Sequence, residues 1–102
     1  MNIRYSYGTG WRVEIETRGR GGYIRYKEGG HVVPFEWEFG GGDVVTMIWA
    51  PDPATWDSVY SWAAGRRSEI VDRMVQAVIR EKAQTCRADI DDASSTIYLR
   101  KK

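Results

Sequence analysis

At 102 residues, with hydrophobic side chains at 42% and a net charge of +1, the chain has room for one domain with one core and no second. Its aromatic share of 13% excludes a disordered composition, which leaves too little to bury. Charge is spread evenly over both halves, and the concentrated basic face that dedicated nucleic-acid binding usually needs is not visible in the sequence. No apolar run approaches the ~20 residues of a membrane span, and the N-terminal stretch lacks the apolar core of a signal peptide. Cys86 stands alone and permits no intrachain disulfide, so a reducing cytoplasm is the expected location.

The first half is punctuated by glycine and rich in alternating segments. Ile3–Tyr7 is a short candidate strand. From Trp11 to Thr17 apolar residues hold the odd positions and charges the even ones, the pattern of a half-buried strand. Gly19-Arg20-Gly21-Gly22 turns it into Tyr23–Lys27, and Gly29-Gly30 supplies the positive φ of a two-residue hairpin turn. His31–Phe39 follows. Pro34 cannot donate to a ladder, which predicts an edge or a bulge there. Gly40-Gly41-Gly42 leads into Asp43–Trp49.

Two turn registers can be checked against each other. Pairing Glu16 with Arg25 and Glu14 with Lys27 puts Val13, Ile15, Ile24 and Tyr26 on one face. A Gly29-Gly30 turn then sets Tyr26 against Val33 and Ile24 against Phe35. Charges meet charges and apolar residues meet apolar residues in both, and a slip of one would invert a strand. The expectation is an antiparallel meander of four to five strands.

The second half reads as helices. Asp52 is a candidate N-cap with Pro53 at the first helical position. Trp56, Val59, Tyr60 and Ala63 recur at i, i+3, i+4, i+7, and Gly65 stops the segment. Ser68–Ala83 then carries a broad stripe of Ile70, Val71, Met74, Val75, Val78, Ile79 and Ala83, which predicts a long amphipathic helix packed on one sheet face. Arg87–Asp91 and Thr96–Leu99 are expected to form a short C-terminal hairpin. The fold class is therefore α+β, one domain over residues 1–102.

Candidate chemistry is sparse. Glu14/Glu16 and Glu36/Glu38 are strand carboxylate pairs, and cross-strand charge pairing explains them better than catalysis. His31 has no nucleophile or orienting acid at a recognised spacing. Cys86 falls near the apolar phase of the long helix, as a small core hydrophobe would. One Cys and one His supply too few ligands for a zinc site, and no cofactor is expected. The glycine runs lead into no helix, so they are hairpin turns rather than phosphate loops. Trp62, beside Arg66 and Arg67, has the composition of an interface hot spot; packing against the long helix is the other reading, and both stay open.

Gly22-Tyr23-Ile24-Arg25-Tyr26-Lys27-Glu28-Gly29-Gly30, followed by Trp56 and Glu69-Ile70-Val71-Asp72-Arg73, resembles the family of bacterial polymorphic-toxin immunity proteins numbered 74, over about residues 22–80. The N-terminal strands and the Trp62–Arg67 segment depart from it. The resemblance implies a protein that neutralises a toxin by binding it, without catalysis, and transfers no contact residue. The competing readings are a small enzyme using Glu36, Glu38 or His31, and a nucleic-acid binder using Arg20, Arg25 and Lys27.

A contact surface follows from layer counting. One helical layer covers one sheet face, so either the terminal segments cover the other or an apolar patch remains. That patch is expected at Val32, Val44 and Ile48, with Trp62, Arg66 and Arg67 as the rival, serving a protein partner or a homodimer.

Overall fold

The computed structural model describes residues 2–102. Seven strands form a single antiparallel sheet: β1 (Asn2–Tyr7), β2 (Trp11–Arg18), β3 (Gly21–Glu28), β4 (His31–Phe39), β5 (Val44–Trp49), β6 (Cys86–Asp91) and β7 (Thr96–Lys101). Their spatial order is β1-β2-β3-β4-β5-β7-β6. The first five run as a meander, as expected, and the C-terminal hairpin extends the sheet by pairing β7 with β5. It lies in the sheet plane and covers neither face. A short helix α1 (Trp56–Val59), a 3-10 turn (Ser61–Ala63) and the long helix α2 (Arg67–Lys82) connect β5 to β6.

The β3–β4 register is the expected one, with Ile24 opposite Phe35 and Tyr26 opposite Val33. Gly29 and Gly30 carry φ of 56° and 84°, the mirror-image turn whose twist matches the flanking strands. The β2–β3 register differs by two residues. Arg18 pairs with Gly21 around a Gly19-Arg20 turn, so Glu14 lies opposite Arg25 and Glu16 opposite Tyr23. A shift of two preserves both faces. The expected ion pairs survive as diagonals: Arg25 reaches Glu16 at 3.0 Å and Lys27 reaches Glu14 at 2.6 Å.

Pro34 sits in an interior strand, against the expectation of an edge. β4 pairs with β5 only from Glu36 to Phe39, so the side of Pro34 that lacks an N–H faces no ladder.

The first helix is shorter than its pattern. Asp52 accepts from the Ala54 N–H at 2.9 Å and closes a local turn instead of capping a helix. Trp56 and Ala63 are buried while Val59 is 62% exposed. The segment is held by the Trp56 indole, which donates to the Ala63 carbonyl at 2.9 Å. Gly65, at φ 76°, separates it from α2.

α2 lays Ile70, Val71, Met74, Val75 and Val78 onto Val13, Ile15, Ile24, Tyr26, Val33, Phe35, Trp37, Ile48, Ile97 and Leu99. Every one of these strand residues points to the helix side, as the strand alternation demands. Arg80 donates to the Ser6 hydroxyl at 2.6 Å and Lys82 to the Thr17 hydroxyl at 2.8 Å, fixing the C-terminal end of α2 over β1 and β2. Cys86 is buried.

Candidate functional site

Among the described residues no element forms a layer over the helix-free side of the sheet. Its residues follow from the register. β1 contributes Ile3, Tyr5 and Tyr7, β3 contributes Tyr23, β4 contributes Val32, and β5 contributes Trp49. All six are among the exposed large hydrophobics, from 36% for Trp49 to 71% for Tyr7. Single exposed apolar residues are ordinary; a face that repeats them from β1 to β5 is not what a solvated antiparallel sheet requires.

Charge on this face is mostly spent internally. Glu14, nearly buried, is flanked by Arg12 at 3.3 Å and Lys27 at 2.6 Å. Glu16, also buried, pairs with Arg18 and Arg25. Burial pushes both carboxyls up, but their cationic neighbours outweigh it and hold both below the ordinary value. Tyr23 lies between the same two arginines, with guanidinium carbons 5.7 and 5.8 Å from its ring centre. Arg100 pairs with Asp89 at 2.7 Å. Of the three residues expected for nucleic-acid contact, Arg25 and Lys27 are thus engaged by carboxylates, while Arg20, at the β2–β3 turn, has no ion pair among the described residues. Glu36 and Glu38 differ: both are exposed, and among the described residues neither has an ion pair.

The expected contact residues separate. Val32 is on the open face, 43% exposed, and Val44 is half-buried at a register shift at the start of β5. Ile48 is a correction. It pairs with Trp37 and Ile97 and is fully buried on the helix side, so it contacts no partner in this fold. β5 is apolar on both faces, and only its pairing with β4 decides that Ile48 turns inward and Trp49 outward. Ile3, Tyr5, Tyr7, Tyr23 and Trp49 are not singled out by the sequence for this face. The alternation of β1 and β3 carried the signal for the tyrosines, but nothing local fixed Trp49.

The rival patch belongs to the helical layer and is internally satisfied. Trp62 stacks on His31, with ring centres 4.5 Å apart and planes 7° apart. Arg66 donates to both Glu28 oxygens at 2.9 and 3.0 Å and to Glu69 at 2.5 Å. Arg67 donates to the Pro51 carbonyl at 2.9 and 3.0 Å. Packing therefore accounts for all three residues. His31 lies on the helix side of β4 while Glu36 and Glu38 lie on the open side, so the strand separates the imidazole from these carboxylates.

Glu28 is the centre of this cluster. The Arg66 fork first, then the Tyr26 hydroxyl, hold its carboxyl at about 2, against an ordinary 4.5, with Arg73 adding to the pull. Because the folded value lies below the unfolded one, the stabilisation is complete above pH ~4.5 and is lost as pH falls toward 2. It amounts to about 1–2 kcal/mol once solvent screening is allowed for. Melting temperatures measured across that range should fall more steeply for the wild type than for Glu28→Gln; parallel curves would contradict the assignment.

Among the described residues no group of three or more His, Cys, Asp or Glu is placed to hold a metal ion. No helix of the described residues is long and apolar enough to cross a membrane. No protein-family model matches the chain, and comparison with curated proteins and with solved structures gives no significant match.

Proposed function

We propose that this chain is a non-enzymatic, cytoplasmic protein-binding domain that docks its partner on the open face of the sheet. The observation that carries the reading is the uncovered face itself, with Ile3, Tyr5, Tyr7, Tyr23, Val32 and Trp49 exposed along it. Exposed rings and aliphatic side chains interleaved with charge, on a face the fold leaves uncovered, suit a protein interface. The resemblance of Gly22–Gly30, Trp56 and Glu69–Arg73 to an immunity-protein family adds the class of partner: a bacterial toxin domain, neutralised by direct binding. A sheet face suits that task, because blocking a toxin needs area and shape and no reacting group.

The test is to read the genes beside this one and to co-express the chain with any toxin domain encoded there. The wild-type chain should relieve growth arrest and form a complex measurable by calorimetry. Tyr7→Asp with Val32→Asp charges the open face at two exposed positions. It should leave the fold intact by circular dichroism and abolish both complex and protection. Undiminished protection by a folded double variant would overturn the reading.

A further inference from the structure

Most of the tryptophans in this protein are supplied with a cation by the chain itself. Arg73 lies over Trp11 at 5.2 Å, Lys82 over Trp37 at 4.7 Å and Arg66 over Trp62 at 6.0 Å. Trp56 is buried against Tyr60 and bonded to Ala63. Trp49 is exposed, and among the described residues it has neither a cation over its ring nor an aromatic partner. Its directly opposed neighbour on β4 is Glu36, one of the two open-face glutamates without an ion pair. Tyr23 opposes Glu36 from the other side. The row Tyr23–Glu36–Trp49 thus sets a free carboxylate between two rings, at the spacing of cross-strand neighbours.

The surface there is hollow. A groove of about 360 Å³ runs beside the row over Gly21 and Gly22, with Glu38 at its rim, and a second of about 350 Å³ flanks it toward Pro34 and Tyr60. Arg18 and Arg20 also border the first groove. Arg18 is committed to Glu16, and Arg20 stands at the β2–β3 turn, outside the row.

We infer that Trp49, Glu36 and Glu38 form the seat for an arginine side chain of the partner protein. This rests on the protein-binding reading and specifies what the partner must present. A guanidinium is the group that stacks flat on an indole while its fork meets a carboxylate. Lysine can sit over an indole, as Lys82 does over Trp37, but its point charge neither stacks flat nor forks onto a carboxylate. The seat repeats, with an external cation, the pairing of ring and guanidinium that the chain builds for itself at Trp11 and Trp62.

A hexa-arginine peptide is the probe, read by the indole N–H resonance of Trp49 in a 15N spectrum. That resonance should shift on titration at about 150 mM salt, where loose surface attraction is screened. Glu36→Gln with Glu38→Gln should weaken binding about tenfold. Asp72→Asn with Glu81→Gln, which removes the same charge from α2, should not. Hexa-lysine should bind more weakly than hexa-arginine. A motionless Trp49 resonance, equal losses in the two double variants, or equal binding of the two peptides would each overturn the seat. Failure here, with toxin protection still abolished by the Tyr7 and Val32 substitutions, removes the seat and leaves the binding face. A seat that binds the peptide with no toxin complex supports the seat and removes the toxin.

Discussion

Ile48→Lys should unfold the protein. Ile48 has no exposure and lies between Trp37 and Ile97 beneath the helical layer. An ammonium there has no anionic partner and no water. The resulting cost, about 4 kcal/mol or more, is a large share of the 5–15 kcal/mol that ordinarily holds a domain. Met74→Asp, from the facing side of the same core, should do the same. The informative control is one residue away. Trp49→Lys faces solvent beside Glu36 and should shift stability by about 0.5 kcal/mol or less beyond the lost ring contact. Circular dichroism melts of the pair decide the matter: similar melting temperatures for Ile48→Lys and Trp49→Lys would contradict the inward orientation of Ile48.

Gly22→Ala should cost about 2–4 kcal/mol, a large effect for one methyl group. Gly22 lies opposite Thr17, and over it the Trp37 indole reaches across to donate to the Glu16 carbonyl at 3.1 Å. A Cβ on Gly22 would overlap that carbonyl oxygen and meet the indole nitrogen at 3.1 Å. The overlap is with the backbone of the neighbouring strand, so β2 and β3 must move apart there, which loses core packing and disturbs the Trp37 hydrogen bond. Gly41→Ala is the matched control, since a Cβ there meets nothing within 4 Å; it should be neutral or slightly stabilising through the unfolded chain. Equal urea midpoints for the two variants would refute this account. The result also bears on the immunity-protein resemblance, whose segment begins at Gly22. That glycine is required by the close approach of the Glu16 carbonyl, so its presence reports on packing.

What was legible in the sequence followed from local chemistry. Gly29-Gly30 announced a tight turn, and the alternation of β2 and β3 fixed which side chains face inward. The stripe of α2 was visible because a long helix repeats its signal several times. The β2–β3 register slipped by two because Gly19-Arg20-Gly21-Gly22 offers two turn lengths that give identical faces. Asp52-Pro53 imitated a helix start, but the Trp56 indole and the Asp57 carboxylate, which accepts from the Gly65 N–H at 2.9 Å, close this segment as a compact turn. The open-face site was read only in part. Val32 falls on the open face, as its parity with Val33 and Phe35 predicts. Trp49 was not legible, because β5 is apolar at nearly every position and its orientation depends on pairing partners in β4 and β7. The satisfied state of Trp62, Arg66 and Arg67 depends on Glu28, His31 and Pro51, which are distant in sequence.

The position of β7 has a consequence for how the chain reaches this structure. The β1–β5 meander closes through short turns, whereas Met47 finds Tyr98 across a loop spanning half the chain. Closing such a loop costs more entropy, and contacts of that kind set the pace of folding. β2 to β4 should therefore be hydrogen-bonded early, while β5 waits with one unpaired edge and an apolar strand beside it. Pulse-labelled exchange should find the β3–β4 amides protected before those shared by β5 and β7; simultaneous protection would exclude this order. During that interval β5 offers its edge to any other strand, so the hairpin that arrives last is also the element that ends the period of greatest aggregation risk.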